Sequence, residues 1–66
     1  MMVQINGQQV TMEKETMLSE FLAEKGYDDQ RVAVEKNGSI IPKKNFQTEI
    51  LCDADKLEIV SFVGGG

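Results

Sequence analysis

Leu57-Glu58-Ile59-Val60-Ser61-Phe62-Val63 is the strongest extended stretch in the chain, and three glycines, Gly64-Gly65-Gly66, follow it directly. β-Branched and aromatic residues suit a pleated surface, and a run so nearly continuous in apolar character predicts a central strand. Alternation along it separates Ile59 and Ser61 from Val60 and Phe62, so one set covers the core and the other is free to face outward. An exposed apolar set would form a docking patch, which makes Phe62 and Val63 candidate partner contacts as well as candidate core residues.

Working back from that strand, Asp53-Ala54-Asp55-Lys56 reads as a turn and Ile50-Leu51 as a short extended lead into it. Val32-Ala33-Val34 and Ile40-Ile41 flank Asn37-Gly38, a pair that enters tight hairpin turns because both positions take positive φ cheaply. Pro42 has no N–H for a ladder, so the Ile40-Ile41 segment ends there or lies on an edge, and Lys43-Lys44-Asn45 reads as exposed loop anchored by Phe46. At the other end, Val3, Ile5, Val10 and Met12 bracket Asn6-Gly7 and predict a second hairpin. Between the hairpins, Leu18, Phe21 and Leu22 stand at helical spacing, with Thr16 as the expected N-cap and Lys25-Gly26 as the stop. Met12 and Met17 are expected to fill core gaps. One helix across a mixed sheet of four to five strands, an α+β domain, accounts for this order.

The chain has 66 residues, enough for one small domain and too few for a large internal substrate cavity. Its net charge of −4 repels phosphate backbones, which argues against nucleic acid and anionic membranes as partners. No histidine is present and Cys52 is the only cysteine, so neither the common zinc sets nor an imidazole-dependent nucleophile can be built within one chain. A lone cysteine in so small a domain favours a reducing compartment, the cytoplasm, and no targeting or membrane-spanning segment is visible.

The glycine tail serves no packing purpose. Ordering glycine costs entropy and buries nothing, so stability gives no reason for three in a row. A frayed end is the plain reading. The alternative is a side-chain-free peptide that carries the terminal carboxylate through a narrow channel into another protein's active site. The expected division is a domain over 1–63 and a flexible glycine tail over 64–66.

With these features the sequence resembles the β-grasp sulfur carriers of the ThiS family. The resemblance covers the whole chain and rests on its length, the hairpin-helix-strand order, the segment Leu51-Cys52-Asp53-Ala54-Asp55-Lys56-Leu57-Glu58-Ile59-Val60, and the ending Phe62-Val63-Gly64-Gly65-Gly66. Ubiquitin-like modifiers and the small subunit of molybdopterin synthase also end in two glycines; the length and the acidic turn favour ThiS. The resemblance implies a protein that is not itself an enzyme. It implies that the Gly66 carboxylate is adenylated by an E1-like enzyme of the ThiF type, which uses ATP and magnesium while the carrier binds no cofactor. Sulfur from a donor such as a cysteine desulfurase relay then gives a thiocarboxylate, which a thiazole synthase of the ThiG type consumes in thiamin biosynthesis. Gly64 and Gly65 would thread the tail, and bulk at Gly65 would obstruct it. An α-carboxyl group with an ordinary pKa of about 3.3–3.7 is already ionised at neutral pH, so its attack needs no base. Carriers serving molybdopterin, tRNA thiolation or cysteine synthesis share this chemistry, a modifier would join Gly66 to lysines, and a binding module would leave the tail inert.

Of the remaining residues, Cys52 reads as a small apolar filler rather than a reactive thiol, and Lys43 and Lys44 as solvated loop. Asp53, Asp55 and Glu58 are either a steering surface for a basic partner or solubilising charge.

Overall fold

The computed structural model describes residues 1–62. Strands β1 (Met2–Ile5) and β2 (Gln8–Thr11) pair antiparallel, with Val3 opposite Val10 and Ile5 opposite Gln8. Asn6 and Gly7 connect them at φ 50° and 86°, the two positive values that a twist-matched two-residue hairpin requires. A two-residue strand, β3 (Thr16–Met17), leads into α1 (Leu18–Glu24). Strands β4 (Val32–Lys36) and β5 (Ser39–Ile40) form the second Asn-Gly hairpin. A 3-10 turn at Lys43–Asn45 and strand β6 (Ile50–Leu51) precede the last strand, β7 (Lys56–Ser61).

The main sheet has the order β2-β1-β7-β4-β5, with β1 and β7 parallel and the other neighbours antiparallel. β7 is central, as its composition implies, and β5 lies on an edge, as Pro42 implies. This is the expected one-helix mixed sheet, the β-grasp. It carries one addition: β3 and β6 pair antiparallel as a separate ribbon. α1 packs on one side only. Leu18, Phe21 and Leu22 from the helix join Val3, Ile5, Met12, Val32, Val34, Phe46, Leu51, Leu57 and Ile59 in a single core.

Both hairpin asparagines act beyond their turns. The Asn6 amide accepts from Ile59 N at 2.7 Å and donates to Ile59 O at 3.1 Å, extending the β1–β7 pairing past its last backbone rung. The Asn37 side chain accepts from Lys56 N at 2.9 Å and donates to Asp55 Oδ1 at 3.0 Å. The central strand is thereby held from both neighbouring turns.

The helix start differs from expectation. Met17, not Thr16, is the N-cap, and no side chain caps the helix. Thr16 lies in β3, and its hydroxyl donates to Lys14 O. A side-chain cap is unnecessary because distant carbonyls take the first free amides: Leu18 N donates to Glu49 O and Ser19 N to Phe46 O, each at 2.8 Å. The stop follows the sequence. Gly26 has φ 82°, its N–H donates to Ala23 O, and Tyr27 N donates to Leu22 O, the paired closure of a left-handed helix end. Met12 is buried as expected; Met17 is 40% exposed because its position in the short ribbon turns it away from the core.

Candidate functional site

Gly64, Gly65, Gly66 and Val63 lie outside the described residues, as does the expected boundary between domain and tail. What the structure describes is the platform from which they continue. β7 is held to β4 through the register Val32–Ser61, Ala33–Val60, Val34–Ile59 and Glu35–Glu58. One further bond, Phe62 N to Arg31 O at 2.7 Å, keeps the chain on the sheet as far as Phe62.

The two sides of that strand differ. Leu57 and Ile59 are buried under α1, whereas Val60 is 58% exposed and Phe62 54% exposed. Ile40, on the edge strand, is 71% exposed. Register places Glu35 opposite both Glu58 and Ile40, and Ala33 opposite Val60, so these residues share the side of the sheet away from the helix. Of the two expected docking residues, Phe62 is therefore surface rather than core. Alternation in the sequence already sets Val60 beside Phe62, but it does not place Ile40 on the same surface; the strand order that joins β5 to β4 and β7 is the missing information.

The acidic trio does not stay together. Glu58 is exposed on the open face and Asp53 is exposed at the turn, where its Oδ1 accepts from Met2 N at 2.8 Å. Asp55 is buried, which corrects its reading as a steering or solubilising charge. Its carboxylate accepts from Cys52 N at 2.8 Å and from Asn37 Nδ2, and stands 3.7 Å from Lys36 Nζ. Burial opposes its ionisation, but the Cys52 N–H, the Asn37 amide and the Lys36 charge outweigh it and hold the carboxyl below its ordinary value. Lys36 also bonds Glu49 Oε2 at 2.6 Å and Ile50 O at 3.1 Å. The Glu49 bond, opposed by burial and helped by Asp55, raises its pKa. These contacts fasten the turn before β7 to β4 and β6.

Cys52 is half-buried, and its Sγ lies 3.5 Å from Glu15 Oε2. Burial and the neighbouring Glu15 carboxylate raise the thiol's pKa, the opposite of what an activated nucleophile needs. Lys43 is exposed but donates to Gln30 O at 2.7 Å; Lys44 is exposed. Among the described residues no three His, Cys, Asp or Glu side chains form a group able to hold a metal ion, and no helix is long and apolar enough to cross a membrane.

Comparison with known proteins matches residues 3–66 to the model of the ThiS family. The sulfur carrier protein ThiS of Bacillus subtilis is 42% identical over 66 residues, covering 98% of this chain and 100% of the relative. A thiazole synthase of Paramagnetospirillum magneticum is 42% identical over 62 residues, covering 94% of this chain but only 19% of the relative. The chain thus spans about a fifth of that protein. The crystal structure of the thiamine biosynthesis protein ThiS from Geobacter metallireducens superposes with a TM-score of 0.83 at 30% identity, covering 100% of both chains.

Proposed function

The chain belongs to the ThiS family, the sulfur carriers of thiamin biosynthesis, and we propose on that premise that it carries sulfur as a thiocarboxylate on Gly66. The observation that supports this reading most directly is that the family match runs through residue 66, with the terminal glycines inside it.

The chemistry divides between partners. The Gly66 carboxylate oxygen attacks the α-phosphate of ATP, pyrophosphate leaves, and an acyl adenylate remains. Magnesium and cationic groups that stabilise the transferring phosphoryl group come from an E1-like adenylyltransferase, because this chain has a net charge of −4 and serves as its substrate. A persulfide on a cysteine-based relay then displaces AMP to form an acyl disulfide, and a second thiol attacks the relay sulfur, so that the S–S bond breaks, the thiocarboxylate leaves and the two thiol sulfurs are oxidised to a disulfide. The resulting thioacid is handed to a thiazole synthase, the class of protein named in two relatives that contain a region similar to this chain. The carrier performs no catalysis of its own in this sequence of steps, and it works in the cytoplasm beside the ATP-using enzyme. Gly64 and Gly65 let the carboxylate reach both active sites without side-chain obstruction.

Intact mass of the purified protein, before and after incubation with ATP, magnesium, a sulfur donor and a ThiF-type enzyme, tests the reading. The expected result is a gain equal to sulfur replacing oxygen, confined to the C-terminal peptide. A mass unchanged under conditions that charge the Bacillus subtilis carrier would overturn it. Gly65→Val is expected to keep the wild-type melting temperature while its adenylation, followed by pyrophosphate release, falls at least tenfold.

A further inference from the structure

The helix does not close its side of the sheet everywhere. Between α1 and the outer strand β2 runs a groove of about 280 Å³ whose walls include Ile5, Gln8, Val10, Phe21, Lys25 and Tyr27. It is smaller than the roughly 300–1,000 Å³ of small-molecule sites, and its size suits one or two side chains. Its charge differs from that of the molecule as a whole. The chain carries −4, yet Lys25 is the only charged residue that lines the groove. The Lys25 ammonium stands over the Phe21 ring, 5.8 Å from its centroid. It takes no part in the three ion pairs among the described residues, which join Arg31 to Asp28 and Lys36 to Glu49 and Asp55.

The backbone of β2 is open beside this groove. Gln4 N donates to Asp55 O and Ala54 N donates to Met2 O, so Met2 and Gln4 turn their backbone groups toward the segment that enters β7. Antiparallel partners alternate between bonded and non-bonded pairs; Gln9 and Thr11, opposite Gln4 and Met2, therefore point their N–H and C=O groups away from the sheet. Both residues are exposed, and β2 contains neither the charge nor the proline that commonly protects an edge. The opposite edge, β5, is two residues long, with Pro42 shortly after it.

We propose that an extended segment of a partner protein adds to the sheet beside β2, placing an apolar side chain in the groove and, two residues along, a carboxylate against Lys25. The main-chain groups of Gln9 and Thr11 give such a segment its hydrogen bonds, and the groove selects its side chains. Residues two apart on a strand share a face, which sets the spacing of the apolar and acidic positions. Charge favours this occupant over a second copy paired through β2, because Gln8-Gln9-Val10-Thr11 brings no carboxylate to Lys25. The groove is on the side of α1, so a segment held there leaves Val60 and Phe62 uncovered.

Random heptapeptides displayed on phage, selected on the full-length chain and counter-selected on Lys25→Glu, supply the probe. The expected result is enrichment of peptides with an apolar residue two positions from Asp or Glu. By NMR, a synthetic peptide of the enriched sequence should shift the amide resonances of Gln9, Thr11 and Lys25 and slow hydrogen exchange at Gln9 and Thr11 at least tenfold. Lys25→Glu and Gln9→Pro should each raise its Kd at least tenfold at the wild-type melting temperature; the proline removes an N–H that the β1–β2 ladder does not use. Exchanging the peptide's acid for lysine should restore binding to Lys25→Glu. Failure to enrich any peptide, shifts confined to the side of Val60 and Phe62, or a Kd unchanged in both variants would overturn the proposal. So would a wild-type dimer in sedimentation that Gln9→Pro abolishes, which would make a second copy the occupant of β2.

Discussion

The two faces of β7 carry similar residues under opposite conditions. Leu57 and Ile59 are 1% and 6% exposed beneath α1, while Val60 and Phe62 are more than half exposed on the other side. Composition does not distinguish these sets, because both are apolar residues of one strand. What separates them is that a single seven-residue helix covers a single side of the sheet. Apolar side chains on the covered side hold the fold together; those on the open side add little to it and remain available to a partner.

The largest expected effect comes from breaking the covered side. Leu57→Ala removes a fully buried side chain from the centre of the core, at a cost of about 3 kcal/mol. A domain of this length rarely has more than about 3–5 kcal/mol in reserve. The variant should therefore be largely unfolded at 37 °C, seen as loss of the cooperative thermal transition by circular dichroism. A well-folded variant would show that the core does not depend on the central strand.

The hairpins, the final strand and the helix stop were legible in sequence because their signals are local: Asn-Gly, a β-branched run, and Lys-Gly lie within a few residues of what they specify. The helix start was not. Its amides are satisfied by carbonyls of Phe46 and Glu49, some thirty residues away, so no nearby Ser, Thr or Asp marks the end. Asp55 was misread for the same reason. In sequence it belongs to a polar turn; in the fold, Lys36, Asn37 and the Cys52 amide surround it. Phe62 was legible as a choice between core and surface, and the choice depended on which side α1 covers. The glycine tail was readable by what it lacks, and the family match extends through it.

Asp55 sharpens the comparison because it is a polar residue behaving like the covered face. Asp55→Asn keeps one acceptor oxygen but loses the charge that Lys36 and two N–H donors meet, with an expected cost of about 2 kcal/mol. That corresponds to a melting temperature lower by roughly 10 °C. The pH dependence has a definite sign. Because the folded-state pKa is lowered, the contribution is complete above the ordinary carboxylate value of 3.8 and is lost as pH falls through the folded value. The raised Lys36 value makes its contribution complete below the ordinary 10.5 and lost as pH rises through the folded value. Wild type and variant should differ most near neutral pH and converge in acid. A constant difference across that range would assign the loss to shape rather than charge.

Val60→Thr probes the open face with a change that keeps the β-branched shape and adds a hydroxyl. Opposite Ala33 and more than half in water, it should alter stability by no more than about 0.5 kcal/mol in urea unfolding. A loss approaching that of Leu57→Ala would erase the distinction between the two sides.

The smallest effect is expected at Cys52, between the two cases because it is half-buried and lies in the turn that Asp55 organises. It is the backbone N–H of Cys52, not the thiol, that donates to Asp55, so replacing sulfur by oxygen leaves the structural bond in place. The thiol itself is poorly suited to sulfur transfer: burial and Glu15 raise its pKa, and transfer needs the thiolate. Cys52→Ser should therefore unfold at the wild-type urea concentration and accumulate the Gly66 thiocarboxylate at the wild-type rate by intact mass. Normal folding with a failure to gain sulfur would make Cys52 a participant in the relay and would move part of the chemistry from the tail to the turn before β7.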